Sequence, residues 1–176
     1  ITASLATNSN FVSPVINMSR ASLGAANNLI DNQDSAATNN PLNLPLTYVA
    51  ETDPANGSHL SKHITVPINL EQPAVGLKVL IGANRPNLAN FDLYYRTIPA
   101  GADTNIEDIS YSLAAQDTIV QTDENPDIFR EYEYTIGGLG GTLTPFTTFQ
   151  LKIVMRSSNS SKIPTFRDLR AIALGT

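Results

Sequence analysis

The chain has 176 residues, enough for one domain with a sizeable core. Hydrophobic residues make up 41% and charged residues only 15%, with a net charge of −5 and no run of Lys or Arg, which leaves no electrostatic footprint for nucleic acid and no polybasic membrane signal. No stretch is apolar enough to span a bilayer, no signal peptide is visible, and the absence of cysteine excludes disulfides, thiolate zinc sites and a cysteine nucleophile.

Residues 1–45 are rich in Asn, Ala and Ser, with weak periodicity. Phe11 to Met18 can be extended, and Pro14 within it points to a sheet edge. Ala21 to Ile30 could be a short helix, but Gly24 and the pair Asn27-Asn28 argue against a stable one. Asp31 to Pro41 is a loop by composition. This region reads as an extended N-terminal arm, lying along the domain's own sheet or reaching a neighbouring subunit. A chain that starts at Ile1 is expected to be the ordered part of something longer.

Residues 46–176 read as strand, turn, strand. Ile64, Val66, Ile68 and Leu70 alternate with polar residues or proline, which is the two-residue period of a strand. The same period recurs at Leu77, Val79 and Ile81, at Phe91, Leu93 and Tyr95, at Tyr132, Tyr134 and Ile136, and at Phe149, Leu151, Ile153 and Met155. Leu169, Ala171 and Ala173 give a last short strand. One apolar and one polar face per strand is the pattern of half-buried antiparallel sheet. The joints are turn chemistry: Asp53 to Gly57, Asn84 to Asn87, Pro99 to Gly101, Gly137 to Gly141 and Ser157 to Pro164, with a longer polar loop over Val120 to Phe129. No long amphipathic helix intervenes. The expected fold is all-β, an antiparallel, jelly-roll-like β-sandwich.

Catalytic chemistry finds little support. His59 and His63 are the only histidines, and without an evident third ligand they read as surface or turn residues, not a metal pair. No Gly-x-Ser-x-Gly elbow is present, and an acyl-transfer triad is improbable. Asp92, Glu131 and Glu133 are the carboxylates to consider for glycoside hydrolysis. Glu131 and Glu133 read more readily as cross-strand partners of Arg96 and Lys152. Asp123, Glu124, Asn125 and Asp127 could offer oxygens to calcium, but lack the EF-hand spacing and read as a solvated loop. The Gly137 to Gly141 run is a hairpin tip, since no helix opening with Lys-Ser or Lys-Thr follows. Tyr94, Tyr111 and Tyr132 could stack on sugars but read as core or sheet-face residues. Asn56-Gly57-Ser58 and Asn159-Ser160-Ser161 match the glycosylation sequon, a short pattern that alone assigns no function. No cofactor is expected.

Several segments carry a resemblance over nearly the whole chain, in order: Ser13-Pro14-Val15-Ile16-Asn17 with Arg20-Ala21-Ser22 and Leu29-Ile30-Asp31-Asn32; Tyr48 to Pro54 with Gly57-Ser58 and His63-Ile64-Thr65; Leu77-Lys78-Val79 with Asn84-Arg85-Pro86 and Asp92 to Arg96; and Phe149 to Met155, Ser157 to Ser161, Pro164 and Arg167 to Leu174. Together they resemble virion structural proteins of contractile-tailed, T-even-like phages of marine cyanobacteria. In that family the second segment is an acidic turn before a lysine-containing strand; here Lys62 precedes the strand, His63 replaces a tyrosine and Val66 replaces the later lysine. The closing strand also resembles, more weakly, the end of galactose-binding-like jelly rolls. The main resemblance implies a non-enzymatic particle component, in a tail, baseplate or fibre. Its partners would be other virion subunits, as a homo-oligomer or part of a larger assembly. Arg20, Arg167 and Arg170 are the candidate interface residues, because the planar guanidinium suits subunit contacts. Asp168 could instead pair with either Arg167 or Arg170. The alternative is an adhesin domain of the same fold that binds host glycan through a concave patch with exposed aromatics. A depolymerase is a third reading.

Overall fold

The computed structural model describes residues 28–31, 48–117, 120–137 and 143–175. Eight strands build two antiparallel sheets. Sheet A holds β1 (Lys62–Ile64), β2 (Ile68–Ala74), β4 (Ala89–Pro99), β5 (Ser112–Leu113) and β7 (Phe146–Ser157). Its order is β1-β7-β4-β5, with β2 also on β7 beyond the end of β1. Sheet B holds β3 (Gly76–Asn84), β6 (Arg130–Gly137) and β8 (Thr165–Leu174), in the order β6-β3-β8. The chain changes sheet repeatedly, from β2 to β3, β3 to β4, β5 to β6, β6 to β7 and β7 to β8. The first change is sharp: only Val75 separates Ala74 from Gly76, and its N–H donates to the Leu174 carbonyl at 2.8 Å. The architecture is an antiparallel β-sandwich.

Its core follows the alternation read in the sequence. Leu77, Val79 and Ile81 of β3, Tyr132, Tyr134 and Ile136 of β6, Phe91 and Leu93 of β4, and Phe149, Leu151 and Ile153 of β7 are all buried in one cluster between the sheets. Phe91 meets Tyr132 and Phe166 edge-on, with ring centroids 4.9 and 5.0 Å away, so one ring ties β4 to both outer strands of sheet B.

Three expectations need correction. The Ile64 to Leu70 run is not one strand. It breaks at residues 65–67, where the Thr65 N–H donates to the Leu151 carbonyl and its hydroxyl accepts from the Leu151 N–H, while Pro67 has no N–H to give. Val66 is therefore 76% exposed instead of facing the core. The last strand is long, not short: β8 has 10 residues and a register shift that leaves Arg167 as the extra residue of a bulge. The polar face of sheet A is not solvated. Arg96, Gln150, Lys152 and Val154 are buried there, as are the apolar residues opposite them. Ser112–Leu113 and the 3-10 turn Ile106–Asp108, capped by the Asn105 side chain, carry no period and were not foreseen.

The joints among the described residues are turns and loops, as their composition indicates. Asn84 organises the Val120 to Phe129 loop: its buried amide donates to the carbonyls of Asp123, Asn125 and Ile128 at 3.3, 2.8 and 2.8 Å. Within the 1–45 region, residues 28–31 lie on the sandwich itself. Ile30 and Asp31 are buried, the Asp31 carbonyl accepts from the Ser157 N–H at 2.8 Å, and its carboxylate accepts from the Leu60 N–H at 2.8 Å. The rest of that region lies outside the described residues.

Replacing Leu93, fully buried between the sheets, with Ala is expected to lower unfolding stability by about 2–5 kcal/mol in a urea titration. Val66→Ser, at an exposed break between strands, should change it by less than about 0.5 kcal/mol.

Candidate functional site

The outer face of sheet A is closed by the segment from Tyr48 to Leu60, and the closure is built on one carboxylate. Glu51 is 3% exposed. Its Oε1 accepts from the His59 N–H at 2.8 Å and lies 2.9 Å from His59 Nδ1. Oε2 lies 3.1 Å from Nζ of Lys152, which reaches outward from β7, and Lys62 Nζ stands 3.4 Å from Oε1. Lys152 is fully buried; its ammonium also donates to the carbonyls of Glu51 at 2.6 Å and Asn56 at 3.2 Å, and lies 4.0 Å from the centre of the Tyr111 ring. Burial alone would raise the Glu51 carboxyl, but the hydrogen bonds from His59 and Lys152, with the Lys152 charge, bring it down to about 2. Burial lowers the Lys152 ammonium, and Glu51 opposes that shift.

The turn that delivers these groups is tight. Asn56 and Gly57 both have positive φ, 75° and 71°, and a Cβ on Gly57 would fall 2.3 Å from Glu51 Oε1. Glycine is required there by backbone conformation and by space. Beside the cluster, Arg96 donates to Gln150 Oε1 at 2.8 Å and to the carbonyls of Pro54 and Ile109, with its guanidinium 4.3 Å from the centre of the Tyr111 ring. These groups form the floor of a polar cleft of about 710 Å³, with Asp53, Asn56, Glu107 and Asp108 at its rim. The ring nearest this cleft, Tyr111, is buried, and its hydroxyl is held by Asn56 and Gln150.

The other sequence candidates fall into separate places. His59 lies in the turn segment of the lid, as one side of the surface-or-turn reading has it, but is buried there and not at the surface, and His63 is exposed on β1. Among the described residues no three His, Asp or Glu side chains are grouped to hold a metal ion. Glu131 and Glu133 do not meet Arg96 and Lys152, because they lie on different sheets. Glu133 pairs with Lys78 at 2.7 Å and Glu131 with Arg170. Asp92 pairs with Arg156; burial raises its pKa, and Arg156 opposes that shift. In the acidic loop, Asp123 pairs with Arg130 at 2.8 Å and Glu124 with Lys162. Tyr111 and Tyr132 are buried. Residues 138–141 of the glycine run lie outside the described residues, as does Arg20.

Arg167 and Arg170 are both on β8. Arg167 is exposed at the bulge, with its guanidinium 5.8 Å from the centre of the Phe129 ring. Arg170 donates to Asp168 at 2.9 Å and to Glu131 on the outer face of sheet B. Beside β8 the sandwich is open. A cleft of about 330 Å³ lies between Phe166 and Leu169 of β8 and His63 and Ile153 of sheet A. A second, of about 440 Å³, lies between Ala173 and the β2 residues Asn69 to Ala74.

No helix among the described residues is long and apolar enough to cross a membrane. No protein-family model, curated protein or solved structure matches this chain.

Three outcomes test the closed face. Glu51→Gln leaves Lys152 buried without its counter-charge and should cost about 3–5 kcal/mol in chemical denaturation. The Glu51 carboxyl is about 2 in the folded chain against an ordinary 4.5, so its contribution is complete above the ordinary value and lost as pH falls toward 2. A thermal unfolding series on acidification should show a steeper fall for the native chain than for E51Q. Gly57→Ala should also destabilise, by more than about 1 kcal/mol, since it combines strain with a clash.

Proposed function

We propose that this chain is a non-enzymatic structural protein of a phage virion, a tail, baseplate or fibre component that works through contacts between subunits. The observation that carries the reading is the open side of the sandwich: among the described residues, β8 is a ten-residue edge strand above two clefts, and none of them covers the core between β8 and the β1-β2 edge. The unpaired N–H and C=O groups of an edge strand are a template for pairing with another chain. The surface composition supports it too. Much of the polar surface is amide and hydroxyl, which are cheaper to desolvate than charge. The segmental resemblance to cyanophage virion proteins supports a phage particle as its place. The carboxylates considered for hydrolysis are each engaged in an ion pair, which favours a structural use.

A glycan-binding adhesin is the second reading, favoured by the polar cleft over Arg96 and Gln150. Sugar sites pair such groups with an exposed ring, and Tyr111 is turned inward.

Antibodies to this chain should label the tails of intact particles, with the protein retained through particle washing. Absence from washed particles, with the protein free in the lysate, would remove the structural reading. Binding on a glycan array, lost on Asn56→Ala and Asp108→Ala, would promote the second.

A further inference from the structure

We propose that a second copy of this chain pairs edge to edge with β8, antiparallel about a two-fold axis at Leu169, so that sheet B runs continuously from one copy into the other. The inference rests on reading the chain as a subunit of an assembly, and it names the partner and the register.

β8 is hydrogen-bonded to β3 along one side, and among the described residues no strand pairs with its other side. The two clefts lie beneath that free side, one after the other, with β1, β2 and β7 as their floor. Among the described residues, sheet B is one strand short of covering this floor. A strand added beside β8 would lie over β1 and β2, and its inward side chains would enter the clefts.

The charges on β8 select the strand. Asp168, Arg170 and Ile172 share the outer face, while Leu169, Ala171 and Ala173 face the core side, as their pairing with Gly82, Leu80 and Lys78 and with Ile81, Val79 and Leu77 shows. Directly opposed residues in an antiparallel pair lie on the same face. A two-fold axis between two residues would oppose inward and outward side chains, so the axis must pass through a residue. An axis at Asp168 or Arg170 sets like charges against each other, and one at Ala171 sets Arg170 against Ile172. Only the axis at Leu169 sets Asp168 against Arg170 of the second copy, twice. That centre also falls at the middle of Thr165–Leu174; beyond the Arg167 bulge, which reverses the alternation, Phe166 comes opposite Ala171 and Thr165 opposite Ile172, so the faces still match. Leu169 lines the cleft beside Phe166, and there the two copies of it would meet. Ile172, 52% exposed, lies on the same continuous outer face. Charges on an edge strand ordinarily discourage pairing. In this register they favour one pairing and reject the others. The contact is isologous and closes at two copies.

The test uses the full chain, measured by analytical ultracentrifugation over a concentration series. The native chain should dimerise. Asp168→Arg and Arg170→Asp should each weaken dimerisation by about tenfold or more, because both cross-strand pairs become repulsive. Mixing the two variants restores both unlike pairs, so the mixture should form a heterodimer that neither variant forms with itself. Thermal unfolding confirms that each variant is folded, and both sites are exposed. A native chain that stays monomeric at every concentration overturns the pairing, as does a dimer indifferent to both reversals or a mixture that does not associate. None of these results touches particle labelling, which decides the structural reading separately. Dimers with the expected charge pattern, from a protein absent from particles, would keep the pairing and remove that reading.

Discussion

The buried carboxylate of Glu51 is the constraint on which the rest of the sandwich depends. Sheet A presents Lys152 and Arg96 on the face away from the core, and both are almost wholly excluded from water. A buried ammonium without a counter-charge would be costly or would give up its proton. Glu51 meets Lys152 directly and draws the Tyr48 to Leu60 segment down over the sheet. A buried ion pair of this kind adds little net stability over a well-packed apolar pair. What it adds is position: the carboxylate fits one geometry, fixed by His59, Lys62, Lys152 and the close approach of Gly57. Strand β1 begins two residues after Leu60, so the placement of the lid also sets where the edge of sheet A starts.

That placement divides the molecule into a closed face and an open side. Around Lys152 the outer face of sheet A is covered by the lid, and Lys152 and Arg96 are committed to Glu51, Gln150 and main-chain carbonyls. The outer face of sheet B carries exposed ion pairs, Lys78 with Asp117 and Glu133, and Arg170 with Asp168 and Glu131. Such pairs contribute at most about 1 kcal/mol each and are easily exchanged for others. The side between β1-β2 and β8 is neither sealed nor charged throughout. On the proposed reading this asymmetry is the working principle of the chain: rigid where the lid closes it, and adaptable where a neighbour adds a strand.

The sequence makes the core legible because the two sheets bury alternate residues. Leu77, Val79 and Ile81, and Tyr132, Tyr134 and Ile136, follow their period without exception. The same rule fails where a second layer covers the polar face. Arg96, Gln150 and Lys152 look like solvent-facing residues, and nothing in the period says that a distant loop encloses them. Glu51 sits in an aperiodic turn, so its role appears only when the turn is laid on β7. Hydrophobic Val66 fits a strand by type, yet the bonds of Thr65 to Leu151 and the lack of an N–H on Pro67 break the ladder there. Glu131 and Glu133 were matched to cations of the other sheet because alternation gives a face but not a partner; strand order, set by long-range pairing, supplies Lys78 and Arg170 instead. Arg167 and Arg170 were singled out for the chemistry of their side chains. Their place on a free edge follows from β8 closing sheet B, which the sequence does not state.

The central claim is that the Glu51 lid is part of the cooperative fold. Amide hydrogen exchange at His59 and Leu60 reads it directly, because their N–H groups donate to Glu51 and Asp31 and belong to no strand. If the lid is held as described, both amides exchange only through global unfolding, as slowly as those of Leu151 and Ile153 in β7. Exchange at the rate of an exposed turn such as Ala102, with β7 still protected, would contradict the account.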